Sequence, residues 1–256
     1  LSSGVYFIAA NPLVSELFPE GVGRAIGIHG TASQVAAVGA PVGLSAILLV
    51  GNWRHTFFGI AVVAAVMTLT LVYASRRTEL PEAGSEDRSL LVAARAQWPV
   101  ILTGIAFVGS AGFLWNGLFN LYGDYLEVTK GIDPETGRLL LSLMFAAGVP
   151  AFFLTGILAD RVPNVPLLLG IVLTFALSVV ALTLVEGVLA IAGVSLLVGY
   201  SIHSLFPAID TYTLSALPDR HRASAYATFP ATMISIHALG SGAAGLAVAQ
   251  GLRNTP

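Results

Sequence analysis

Long apolar runs, each bounded by charge, set the pattern of this chain. Residues 1–15 carry no Asp, Glu, Lys or Arg, and uncharged stretches follow at 25–53, 55–75, 96–123, 139–159, 162–185, 187–209 and 223–252. A helix needs about 20 apolar residues to cross a bilayer core. The seven longer stretches qualify, and the first reads as a span cut short. Residues 165–185 (VPLLLGIVLTFALSVVALTLV) are apolar on every face, as suits a helix in lipid. Barrel strands would instead run to about 10 residues of alternating polarity. The pattern predicts eight helices, near residues 1–17, 25–50, 55–75, 98–126, 139–158, 165–185, 188–216 and 223–249.

Composition agrees. Of 256 residues, 55% are hydrophobic and 10% charged, against about 25% charged in an ordinary soluble domain. The mean hydropathy is +0.82. With 12 basic against 14 acidic residues, no basic face is available for a nucleic acid. Cys is absent, which excludes disulfides and thiolate chemistry. No two His stand i, i+4 on a helix, so no metal site and no cofactor are expected. One Lys against 11 Arg points to a GC-rich prokaryotic genome. The fold class is thus an all-α polytopic membrane protein. A start inside an apolar run and a stop seven residues after the last span suggest a fragment truncated at both ends.

Charge also gives sidedness. The loops after the first, third, fifth and seventh spans hold eight Arg, and the opposite side holds Arg54, Lys130, Arg138 and Arg253. The richer side is expected to be cytoplasmic. Residues 75–97 (SRRTELPEAGSEDRSLLVAARAQ) form the longest polar stretch and read as a cytoplasmic linker between two membrane bundles. An internal repeat falls on the same side. Residues 18–27 read FPEGVGRAIG and residues 217–225 read LPDRHRASA, each a bulky apolar residue, Pro, an acid, a spacer and Arg-Ala. Arg24 and Arg222 lie 198 residues apart, a spacing of six helices with their loops. Parallel repeats of six-helix halves are one plan of secondary transporters.

These stretches carry a family resemblance. Residues 52–57 (NWRHTF) look like the WR-x-x-F opening of the sixth helix of the major facilitator superfamily. Residues 156–161 (GILADR) are similar to the second-half copy of that family's G-x-L-a-D-R loop motif. The two Pro-acid-Arg-Ala stretches resemble its connections between helices four and five and between ten and eleven. Two departures stand out. The loop motif normally continues Gly-Arg-Arg/Lys, where this chain has Val162-Pro163-Asn164. Residues 36–44 (AAVGAPVGL) resemble the antiporter motif G-x-x-x-G-P-x-x-G, but Ala40 separates Gly39 from Pro41.

The resemblance covers essentially the whole chain and implies helices four to eleven of twelve. Residues 1–74 would be the end of the N-terminal bundle, 75–97 the linker and 98–256 the C-terminal bundle without its last helix. The chain would act as a monomer in the plasma membrane, taking a small-molecule solute and protons. Gly156, Asp160, Arg161, Arg24 and Arg222 would form a cytoplasmic gate, with Asp160 facing the start of the second helix around Arg24. The plain alternative for Asp160 and Arg161 is a solvated loop pair. Gly39, Gly43, Gly240, Gly242 and Gly245 are expected to serve close helix packing.

Ionisable side chains inside a span are functional candidates. Tyr200, His203 and Asp210 fall on one broad face of the seventh helix, with His203 near mid-depth and Asp210 nearer the cytoplasmic end. His203 is a candidate for solute binding or proton transfer, and Asp210 for a proton acceptor or gate. Alternatively, Asp210 is an interfacial carboxylate paired with Arg220 or Arg222. In the fourth helix Trp115, Asn116 and Asn120 suit a polar or aromatic organic solute, and the two amides share a face. His29 and His237 read as interhelical hydrogen-bonding residues. The function expected is secondary active transport by alternating access with proton coupling. Multidrug efflux antiport and uncoupled uniport are the alternatives. An intramembrane protease would need a G-x-S-x-G serine with a helix-borne His, or paired acids. Neither is present, nor is the G-x-x-x-x-G-K-[ST] loop of an ATP-driven pump.

Overall fold

The computed structural model describes residues 2–79 and 89–228 continuously, and residues 232, 236, 239, 242, 245, 246 and 250 beyond them. Ten α-helices are traced among the described residues. They are α1 (Ser2–Leu17), α2 (Val22–Val50), α3 (Trp53–Ser75), α4 (Leu90–Ala96), α5 (Trp98–Gly104), α6 (Ser110–Lys130), α7 (Pro134–Ala146), α8 (Gly148–Ala159), α9 (Asn164–Leu184) and α10 (Val188–Ala216). A π-helical turn at Ile105–Gly109 joins α5 to α6. The described residues contain no strand. The eighth expected helix lies largely outside the described residues, as do His237, Gly240 and Arg253.

Among the described residues, five stretches are long and apolar enough to cross a membrane: Trp53–Ser75, Trp98–Lys130, Pro134–Ala159, Asn164–Leu184 and Val188–Ala216. Helix α1 is shorter than this, and α2 carries the polar run HGTASQ at residues 29–34. Helix α3 has no buried residue. Helix α9 exposes Leu169, Leu173, Leu177, Val180 and Leu184. Apolar faces of this kind are what lipid covers.

Two boundaries differ from expectation, each for a local reason. Helix α7 begins at Pro134 rather than near residue 139. Asp133 caps it, accepting from the amides of Glu135 and Thr136 at 3.1 and 3.0 Å, and Pro134 occupies the first turn. Within the expected linker, Ser89 caps the short helix α4, whose Ala93 is fully buried beside Val22, Ile26 and Leu214. Residues 80–88 of that linker lie outside the described residues.

The Thr136 amide holds the Asp133 carboxyl below the usual carboxylate range. A lowered carboxyl stabilises the fold above its unfolded value, and that contribution is lost as pH falls through the folded one. Asp133→Ala should therefore lower the thermal midpoint at about pH 7, and the difference from wild type should shrink towards about pH 3. Unfolding scans at both pH values check this.

Helix α10 is the centre of the assembly, packing on α9, α8, α7 and α2. Its Gly199 lets it approach the backbone of Met144 on α7, where a Cβ would clash. The Tyr122 hydroxyl meets Ser195 Oγ at 2.5 Å, tying α6 to α10. At the far end of α6, Lys130 donates to the carbonyls of Thr183 and Val185 and to Glu186, capping α9. Gly131 follows with φ 65°, the left-handed conformation that ends α6.

Candidate functional site

The residue before helix α2 is Gly21, which has no side chain to cap it. Its first amides would be orphaned without an acceptor. Asp160 supplies one from 137 residues away. Its Oδ1 accepts from the Gly23 amide and its Oδ2 from the Arg24 amide, both at 2.7 Å. Asp160 sits at the C-terminus of α8, where a negative charge opposes its own helix dipole, and at the N-terminus of α2, where it is favoured. Its position therefore favours the contact between helices rather than either helix alone.

Glycines let the two helices come this close. A Cβ on Gly23 would stand 2.6 Å from the Gly156 carbonyl, and one on Gly27 would stand 2.7 Å from the Phe152 carbonyl. A Cβ on Gly30 would enter the Phe152 ring. The packing glycines are thus Gly23, Gly27, Gly30 and Gly156. This corrects the expectation for Gly39, Gly43, Gly242 and Gly245. A Cβ there would meet no atom of the described residues within 4 Å, and Gly240 lies outside them. Beyond residue 35 the described side chains of α2 are mostly exposed. Helix α2 is therefore packed on α8 from Asp160 to Gly148 and largely uncovered beyond it.

Arg24 and Arg161 are exposed, and both line a cavity of about 520 Å³ with Glu20 and Asp160. Arg222 is placed differently from Arg24, its counterpart in the repeat. It pairs with Asp219 at 2.5 Å, and its Nε donates to the Leu214 carbonyl at 3.0 Å, capping α10. The two repeat loops meet at a second cavity of about 340 Å³, lined by Glu16 and Pro19 on one side and by Asp219 and Arg222 on the other.

That arrangement overturns the Arg222 pairing considered for Asp210. The Asp210 carboxylate is bound on both oxygens by neutral donors. The Asn11 amide donates to Oδ2 at 3.0 Å and the Tyr226 hydroxyl to Oδ1 at 2.8 Å. The Asn11 amide also donates to the Tyr226 oxygen at 2.7 Å. Asn11 and Tyr226 are almost fully buried. The sequence did not pair Asn11 or Tyr226 with Asp210, because their approach to it spans 199 and 16 residues and follows no local spacing.

His203 is buried two turns further along α10. Its Nδ1 lies 2.7 Å from the Gly199 carbonyl, which can only accept. Nδ1 therefore carries the proton, and in the neutral ring Nε2 keeps its lone pair. The rings of Trp115 and Phe145 each stand edge-on to the imidazole at 5.8 Å, and Phe119 stacks on Trp115 at 6.1 Å. A Cβ on Gly148 would meet the Gln34 amide oxygen at 2.6 Å and the His203 ring at 3.0 Å. Gln34 of α2 and His203 of α10 thus close on one point. Gln34, Phe119 and Phe145 were not singled out from sequence, although an amide in the uncharged stretch 25–53 was a visible signal. Asn116 and Asn120 share a face but turn back on their own helix, donating to the Gly112 and Asn116 carbonyls at 3.0 and 2.7 Å. Tyr200 is half-buried one turn before His203.

The sequence model of the Major Facilitator Superfamily matches residues 1–248. The uncharacterized transporter YycB of Bacillus subtilis (strain 168) is 29% identical over 155 residues. The match takes in 59% of this chain and 37% of that protein's length.

Proposed function

Because the chain belongs to the Major Facilitator Superfamily, we propose that it forms part of a secondary transporter that moves a small organic solute across the cell membrane by alternating access, driven by protons. One observation carries this reading. Helix α2 is sealed against α8 at the Asp160 end by charge and glycine packing, while its half beyond residue 35 is mostly exposed. A carrier closed on its cytoplasmic side has that shape. Breaking the Asp160 contact and re-forming it would alternate access around a fixed central site. The bacterial relative bears the name of a transporter, which supports the same reading.

The solute site is best assigned to the surroundings of His203. Its Nε2 lone pair, the Gln34 amide and the aromatic edges of Trp115 and Phe145 offer one acceptor, one amide and apolar walls. Among these described residues His203 is the one acid or base, so a neutral or weakly polar organic solute fits. Tyr200, Asn116 and Asn120 would border it. Arg24, Arg161 and Arg222 belong to the closing end.

The test is a solute panel on the full-length protein in proteoliposomes, with and without an imposed proton gradient. Gradient-driven accumulation supports the reading, and gradient-independent equilibration or outward exchange would replace it with uniport or efflux antiport. Within that assay, His203→Phe keeps a ring but removes both nitrogens. The half-saturation concentration should rise at least ~10-fold, the effect of one lost hydrogen bond to a buried partner. An unchanged value would remove His203 from the solute site.

A further inference from the structure

We propose that Asp210, Asn11 and Tyr226 form a protonation-dependent tie between α1 and α10, in which Asn11 and Tyr226 are positioning residues for a proton taken up by Asp210. The inference rests on the transporter reading for its purpose but not for its test.

The carboxylate receives one neutral donor on each oxygen, from Asn11 of α1 and from Tyr226, which follows the second repeat loop. No ion pair reaches Asp210 among the described residues. The cation considered for it, Arg222, is used by Asp219 and the end of α10. Several other ionisable groups at this end have their own places. Glu16 of α1 faces Asp219 and Arg222 across the smaller cavity. Asp160 is held by the α2 amides. On α2, Arg24 lines the larger cavity, and His29 stands 5.6 Å from the Tyr6 ring. Helices α5 and α8 carry no ionisable side chain. Among the described residues the Asp210 carboxylate thus meets two neutral donors and no ion-pair partner.

Both partners can serve either protonation state without moving the backbone. A tyrosine hydroxyl donates to a carboxylate and accepts from a carboxylic acid. An asparagine amide presents nitrogen or oxygen by rotating about its last bond, and the Asn11 Oδ1 is buried with no partner. What changes is strength. Hydrogen bonds to an ionised acceptor are roughly twice as strong as neutral ones. Proton uptake at Asp210 thus weakens the connection between α1 and α10 at the same end that Asp160 seals. A proton arriving there loosens this end of the molecule.

This chain lacks cysteine, so once any cysteine in the rest of the full-length protein is replaced, a spin-label pair can be introduced at the exposed Phe18 and Ala216. Neither belongs to the triad. Pulsed electron resonance in nanodiscs, with no solute added, reads the distance between them. The short-distance population should fall at least about two-fold between pH 8 and pH 5, as expected if proton binding favours one of two states. In Asp210→Asn the pH 5 distribution should appear at every pH. Tyr226→Phe, which keeps the ring, should retain the pH response with its midpoint moved to higher pH, since the anion has lost a donor. A merely structural tie would loosen in Asp210→Asn but leave the wild type insensitive to pH. A pH-independent wild type, or an Asp210→Asn protein with the wild-type response, overturns the proposal. Because no transport is measured, a failure here is separate from a failure of the solute assay.

Discussion

Gly156→Val is expected to prevent closure between α2 and α8 and to reduce transport by the full-length protein to below about 1% of wild type, the loss that ~3 kcal/mol against the closed state would produce. The reason is steric. A Cβ at residue 156 stands 2.7 Å from the Gly27 Cα and 3.1 Å from its nitrogen, and it also meets the Gly23 carbonyl. These atoms are backbone, so no rotamer change relieves the contact. The helices must separate, and separation pulls the Gly23 and Arg24 amides away from Asp160. Crosslinking between cysteines placed on α2 and α8 should report the gap, while yield and thermal midpoint report whether the rest of the fold survives. Wild-type transport in this variant would mean that the α2–α8 contact plays no part in the cycle.

Asp160→Asn is the milder and more specific test of the same seal. The side chain keeps its shape but loses its charge and one of the two acceptors that hold α2. Hydrogen bonds to a charged group and the dipole effect together suggest ~2 kcal/mol, which shifts a two-state equilibrium roughly 30-fold towards the state open at this end. Transport should slow by about 10-fold or more, and Asp160→Glu should recover little, because the longer chain cannot place both oxygens on the same two amides. Accessibility of a cysteine in the 520 Å³ cavity lined by Arg24 and Arg161 would rise in parallel. An Asp160→Asn protein with unaltered accessibility would return Asp160 to the role of an ordinary surface charge.

Much of the fold was legible because bilayer chemistry is written in charge. The spacing of the 26 charged residues located the helices α1–α3, α9 and α10 and the end of α8 closely, and joined α7 and α8 into one span. It failed where local chemistry decides. Asp133-Pro134 is a helix start inside a charged stretch, so counting uncharged residues placed the start of α7 too late. Helix α4 was hidden in a stretch read as linker because its cap, Ser89, and its buried contact, Ala93, are weak signals in seven residues.

The site was legible in a different proportion. The charge of Asp160 and the start of α2 share a motif-like setting, so their pairing could be expected from sequence. The partners of Asp210 could not, since Asn11 is almost two hundred residues away and Arg222, the nearer choice by sequence, has a better use at the end of α10. Glycines misled for a related reason. Gly39 and Gly43 sit in a motif-like run, yet Gly23, Gly27 and Gly30 meet the neighbouring backbone and side chain, and only a partner helix distinguishes the two sets.

The cap that Lys130 places on α9 has a practical consequence. It is the chain's single lysine, its side chain is 3% exposed, and its ammonium protons are shared among two carbonyls and Glu186. Acylating reagents need a free, deprotonated amine, so this side chain should resist amine-directed labelling while the cap holds. The appearance of a label on Lys130 would then serve as a clock for the unfastening of α6 from α9, read by mass spectrometry from one peptide.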